Sequence, residues 1–272
     1  MGEWVDGTWT YTNSEGNEET LEYYLFVPSA WKEGESLPLV TWIVDASGVG
    51  KSRETLLKNK APIQWTKAEK QQDHPFFFLT INFSGTAGSV TDEHSAGGQT
   101  VKIIDQVVAE YGINEKKLYL TGQSMGGILD FQLNTLYPDK FAATYYVAAQ
   151  PSADRTFEDD IAVWVLGEKA FLNQKICYMV SMLNEAAYTG QQKLKEAYDE
   201  AGISYVVLED LNRKSDTLND ELAQALQSDS NVFFFAYSKV ASGNDTDEHN
   251  NTWRYAYAYD AIVDWLLAQE LE

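Results

Sequence analysis

The stretch Leu118-Tyr119-Leu120-Thr121-Gly122-Gln123-Ser124-Met125-Gly126-Gly127 runs an apolar, strand-like segment straight into a G-x-S-x-G pattern. A nucleophile at the tip of a sharp strand-to-helix turn sits in a strained backbone position, so its neighbours two residues away must be small. Such a turn exposes the Ser124 hydroxyl. It also sets the amide of Met125 at a helix N-terminus, where developing negative charge on an oxygen is stabilised. The five-residue pattern alone arises by chance. A strand before it, a helix after it and the third glycine at Gly127 give it weight.

Working outward, continuous apolar runs at Leu37–Val44, Phe76–Ile81, Lys117–Thr121, Phe141–Ala149, Ile161–Leu166 and Asn231–Tyr237 read as buried parallel strands. Thr8–Thr12 and Leu21–Val27, joined by Asn13-Ser14-Glu15-Gly16-Asn17, read as a hairpin. Ile203–Leu211 is a further strand. Helical patterns fill the gaps: Gln99–Tyr111 with Val101, Ile104, Val107 and Val108 on one face, Asn184–Ala201 stopping at Gly202, and Trp253–Gln269. A hairpin followed by strand–helix alternation predicts an α/β fold with one mostly parallel sheet covered by helices on both faces. No linker or repeat divides residues 1–272, so a single domain is expected.

The 272 residues carry 20 Lys and Arg against 41 Asp and Glu, a net charge of −21. That field disfavours nucleic acid, anionic membrane surfaces and polyanionic substrates. A single cysteine, Cys177, excludes an internal disulfide. No apolar run approaches the roughly 20 residues of a membrane helix. Met1-Gly2-Glu3-Trp4 lacks the basic start and apolar stretch of an export signal, and a secreted or periplasmic location is the expectation if such a signal has been removed.

A serine nucleophile needs a base, and the chain has three histidines, His74, His94 and His249. In sheets of this kind the order is serine, acid, histidine, which selects His249, in the polar loop Gly243–Asn251. The acid is expected after a strand between the two. Glu168, just past Ile161–Leu166, is the first choice and Asp154 the alternative, with Asp245 and Asp247 read as solvated loop charges.

Together these residues resemble an α/β-hydrolase, in particular the bacterial esterases related to polyhydroxybutyrate depolymerase-like and feruloyl-esterase-like enzymes. The similarity runs through Tyr24–Pro28 and Leu37–Val40, the turn at Leu120–Gly127, the strand Ala162–Val165, and His249 with Trp253 and Ala261–Leu266. It implies a serine carboxylesterase working through an acyl-enzyme, with no metal or organic cofactor and a small-molecule or glycan-linked ester as substrate. It also implies a second oxyanion donor, a backbone amide at Asp45 or Ala46. Two departures stand out: Val44-Asp45 replaces the family's His-Gly or His-Asp pair, and Gly167-Glu168 replaces its aspartate. They motivate a rival reading as a catalytically impaired binding protein, with a serine peptidase as the alternative among enzymes.

Two other motifs carry less. Asp45-Ala46-Ser47-Gly48-Val49-Gly50-Lys51-Ser52 approaches a phosphate loop, but an aspartate stands at its first position, where a carboxylate would face the phosphates. Asp245, Asp247 and Glu248 could hold Ca²⁺ but read better as a solvated loop. Trp31, Trp65 and Trp253, like the alternating Tyr255, Tyr257 and Tyr259, are expected to pack.

Overall fold

The structure, a computed structural model, describes residues 2–83, 88–151 and 167–272. Among these, nine strands form one sheet in the order β1-β2-β4-β3-β5-β6-β7-β9-β8. Strands β1 (Glu3–Thr12) and β2 (Glu18–Val27) pair antiparallel, and β2 joins β4 (Phe77–Asn82) antiparallel. All remaining pairings are parallel and link β3 (Leu39–Ile43), β5 (Leu118–Gln123), β6 (Ala143–Val147), β7 (Ile176–Ser181), β9 (Val232–Tyr237) and β8 (Val206–Leu211). The hairpin turns where expected: the Asn13 side chain accepts from the amides of Glu15 and Asn17 at 3.0 and 2.9 Å. The expected α/β sheet with its N-terminal hairpin is present.

Side chains along each strand alternate between the two faces. On one face Val40, Trp42, Phe78 and Phe235 pack with Leu56, Trp65, Leu222, Ile262 and Leu266. These come from the short helices α1 (Arg53–Leu57) and α2 (Lys60–Trp65) and from α8 (Leu218–Leu226) and α10 (Asp260–Ala268). Between α2 and β4 lies α3 (Ala68–Asp73). On the other face Leu39, Ile43, Leu79 and Leu120 meet α4 (Thr100–Tyr111) and α5 (Met125–Leu136). Beyond them Tyr146, Tyr178 and Phe234 meet Phe131, with Ala187, Leu194 and Tyr198 of α7 (Glu185–Ala201). A one-turn helix, α6 (Lys169–Leu172), precedes β7.

Two elements differ from the sequence expectation, and a third expectation lies outside the described residues. The fully buried strand Ile176–Ser181, next to β6, is one that the apolar runs do not announce. The expected strand Ile161–Leu166 and the alternative acid Asp154 lie outside the described residues. The single closing helix is two, α9 (Glu248–Ala256) and α10, separated at Tyr257–Tyr259 because Tyr257 is drawn into the core. There the buried Trp65 indole donates to the Tyr257 carbonyl at 3.0 Å, and the Tyr145 hydroxyl donates to that of Ala256 at 3.0 Å. Trp65 and Tyr257 are thus core residues, as expected.

Two buried carboxyl groups bear on the site. Glu248, expected as a loop charge, is instead the buried first residue of α9. Its carboxylate accepts from the Ser181 hydroxyl at 2.5 Å and from the amides of Val240 and Ala241 at 2.8 and 3.1 Å. It therefore clasps the end of β7 and the segment after β9 to the helix that carries His249. Asp130, inside α5, is fully buried, and neither of its carboxyl oxygens has a hydrogen-bond partner among the described residues. Burial pushes it well above the usual carboxylate range, favouring the neutral acid.

Both groups give measurable consequences. Glu248→Ala leaves three donors without their acceptor, at about 1–3 kcal/mol for each group left buried. Urea unfolding should show a midpoint well below wild type; an unchanged midpoint would refute the clasp. For Asp130 the folded carboxyl titrates above the ordinary value of 3.8. Its favourable contribution is therefore complete below that pH and is lost as pH rises toward the folded value. Each pH unit in that window costs up to about 1.4 kcal/mol. Asp130→Asn abolishes the loss, so its thermal midpoint should gain on wild type as pH is raised above 3.8. A gap that stays constant would contradict this.

Candidate active site

The C-terminal ends of β3, β5, β7 and β9 converge on one edge of the sheet, where open parallel sheets place their ligands. Ser124 follows β5 directly, with φ 53° and ψ −120°, a left-handed conformation that costs a non-glycine residue about 1–3 kcal/mol. Backbone bonds hold it there: its amide donates to Val147 O at 3.1 Å, and its carbonyl accepts from Ile128 N at 3.1 Å. The flanking glycines are dictated by contact. A Cβ on Gly126 would lie 2.0 Å from the Ile43 carbonyl oxygen, and one on Gly122 2.5 Å from the Gly126 carbonyl carbon. One on Gly127 would meet the Ala149 methyl at 2.4 Å. The start of α5 is thus pressed against the end of β3.

Two helical starts follow the two strand ends that meet there. Met125 opens α5, and Ala46 opens a 3₁₀ turn, Ala46–Gly48, capped by Asp45. Amides at such starts have no partner within the helix. The Asp45 side chain is turned away from that task. Buried, it accepts from the Ser47 amide at 2.9 Å, from the Ser47 hydroxyl, and from Gln123 Nε2 at 2.9 Å. Gln123, the residue before Ser124, therefore ties the β3 loop to the turn. Val44 faces the core, against the position where a Gly48 Cβ would lie. The loop that resembles a phosphate loop is folded around its own aspartate.

His249 lies in the first turn of α9 rather than in a loop, because Asp247 caps that helix by accepting from Asn250 N at 2.8 Å. Its Nε2 is 2.8 Å from Ser124 Oγ, and its ring packs edge-on against Trp253 with centroids 4.8 Å apart. Ser124 and His249, separated by 125 residues in the chain, are brought into hydrogen-bond contact. Asp245 and Asp247 are spent within the loop: Asp245 accepts from Asn251 Nδ2 at 2.8 Å and from the Asp247 amide at 2.9 Å, which lowers its pKa.

Glu168 is not brought to this pair. It stands exposed in front of α6, ahead of β7, and its carboxylate makes no hydrogen bond or ion pair with His249. The strand beside β6 whose end faces the histidine is Ile176–Ser181, and it leads into Met182-Leu183-Asn184. The Asn184 side chain, buried, has its Nδ2 at 2.8 Å from His249 Nδ1. Sequence reasoning passes over Asn184 because an amide is not an acid. The one available signal is its position just past an apolar run. Among the described residues no group of three or more His, Cys, Asp or Glu is placed to hold a metal ion, and no helix is long and apolar enough to cross a membrane.

Comparison with known proteins agrees with this geometry at the level of the fold. No protein-family model matches the chain. Feruloyl esterase B of Talaromyces stipitatus is 37% identical over 71 residues, which is 25% of this chain and 19% of that protein. Among solved structures, the chain is similar to a thermostable esterase, with a TM-score of 0.70 at 20% identity, covering 97% of this chain and 63% of that one. It is similar to a ferulic acid esterase, with a TM-score of 0.61 at 13% identity, covering 98% and 97%. It is similar as well to an acylaminoacyl peptidase of Pyrococcus horikoshii, with a TM-score of 0.57 at 10% identity, covering 99% and 42%. The chain has the α/β-hydrolase fold.

Proposed function

We propose that this protein is a serine carboxylesterase in which Ser124 is the nucleophile and His249 the general base. The observation that carries the reading is the 2.8 Å contact between Ser124 Oγ and His249 Nε2 at a left-handed strand-to-helix turn. Ser124 Oγ attacks the acyl carbon while His249 takes its proton. The carbonyl oxygen becomes an oxyanion facing the amides of Met125 and of Ala46 or Asp45. His249 then returns the proton to the departing alcohol. Water, deprotonated by the same imidazole, attacks the acyl-enzyme and releases the acid and the free serine. These steps call for no metal or organic cofactor.

For the substrate, the partial match to a feruloyl esterase and the fold shared with a ferulic acid esterase favour an aromatic acyl ester, free or carried on a sugar. A net charge of −21 fits a substrate without phosphate or sulfate groups. The fold shared with an acylaminoacyl peptidase keeps amide cleavage as the second reading.

Methyl ferulate and p-nitrophenyl butyrate should be hydrolysed, and aminoacyl p-nitroanilides should not. Ser124→Ala should reduce ester turnover by about 10⁴-fold or more, as removal of a triad nucleophile does. Anilide cleavage exceeding ester cleavage would select the peptidase. Ester turnover retained in Ser124→Ala would sink the assignment.

A further inference from the structure

Resting on the serine-hydrolase reading, we infer that Asp45 is a positioning residue: through Gln123 it locks the loop after β3, and the Ala46 amide in that loop is the second donor to the oxyanion. The loop is anchored on both flanks of Ser124 in the chain. On one flank the Ile43 and Val44 carbonyl oxygens press against Gly126, lying 2.0 and 2.9 Å from where its Cβ would be. On the other, Asp45 Oδ1 accepts from Gln123 Nε2 at 2.9 Å, and Gln123 directly precedes Ser124. Asp45 Oδ2 caps the 3₁₀ turn Ala46–Gly48, accepting from the Ser47 amide at 2.9 Å and from the Ser47 hydroxyl. One buried carboxylate thus joins the turn that Ala46 opens to the strand that leads into Ser124.

Gln123 makes this contact at a cost to the fold. Its side chain is fully buried, and Nε2 also reaches Oδ1 of Asn59, the N-cap of α2, at 3.4 Å. The other end of the amide, Oε1, has no hydrogen-bond partner among the described residues. A buried acceptor left bare is destabilising, and an apolar side chain would fill the place without that penalty. What the amide gives in return is a rigid loop. Ala46 N, the first amide of the turn, donates to no acceptor among the described residues. The first amides of a helical turn carry partial positive charge. A donor stabilises an oxyanion by standing in place before the charge develops, which is what anchoring the loop on both flanks of Ser124 provides. Asp45 itself faces three donors, so its own charge is answered inside the loop.

Asp45→Ala, Gln123→Glu and a double variant, Gln123→Glu with Asp45→Asn, test this beside wild type. With p-nitrophenyl butyrate, Asp45→Ala should lose about tenfold to a hundredfold in kcat, approaching the loss of one oxyanion donor, with KM within about threefold. Gln123→Glu sets two carboxylates against each other and should lose as much. The double variant exchanges amide and carboxylate, restores a donor–acceptor pair, and should recover kcat to within about threefold of wild type. Inhibition by a trifluoromethyl ketone, whose adduct with Ser124 carries an oxyanion, should weaken and recover in step with kcat/KM. Wild-type kcat in both single variants would overturn the inference. So would losses that the double variant does not recover. A fall in thermal midpoint with kcat and ketone affinity kept would overturn it as well, being what a residue that holds only the fold gives. Should Asp45→Ala not fold, the two Gln123 variants decide alone. Failure of the esterase reading looks different, with wild type itself neither turning over ester nor binding the ketone, and it overturns both.

Discussion

The close approach of α5 to the end of β3 at Gly126 is the constraint on which the rest of the site depends. A carbonyl oxygen, that of Ile43, occupies the space where any side chain at residue 126 would begin. With that contact made, β5 can pass into α5 through one residue in a left-handed conformation, and Ser124 stands clear of the sheet. The strain at Ser124, about 1–3 kcal/mol, is carried by backbone bonds to Val147 and Ile128 on either side.

Around this turn the protein places buried polar groups that fasten loops. Asp45 accepts three hydrogen bonds, one of them from Gln123, so the loop after β3 is fixed to the strand that leads into Ser124. Glu248 does the same between β7, the segment after β9, and α9. In a chain of net charge −21 these carboxylates differ from the many surface ones in having their acceptor capacity filled by backbone, hydroxyl and amide donors. Asp130 is the exception: it has no donor among the described residues, and burial raises its pKa well above the usual carboxylate range.

Much of this is legible in the residues. The apolar runs mark seven of the nine strands, the hairpin included, and Val206–Leu211 matches the additional strand read at Ile203–Leu211. The G-x-S-x-G stretch and the order of the histidines select the pair Ser124 and His249, which the fold brings together. The strand Ile176–Ser181 escapes. The sequence reading places no strand between Ile161–Leu166 and Ile203–Leu211 and takes its acid, Glu168, from the end of the first of these. Asn184 and Glu248 escape for a related reason. Their roles come from long-range contacts, to His249 across 65 residues and to Ser181 across 67, that no local pattern encodes. The break between α9 and α10 depends likewise on Trp65, 192 residues from its acceptor at Tyr257.

The central claim is that Ser124 forms a covalent acyl intermediate with His249 as its base. The most direct measurement mixes wild-type protein with excess p-nitrophenyl acetate, quenches in acid within the first turnovers, and reads the mass of the peptide containing residues 118–127. The account predicts a burst of p-nitrophenol of about one equivalent and an acetyl group on Ser124. A steady release with no burst, together with an unmodified peptide in fully turning-over protein, would contradict it.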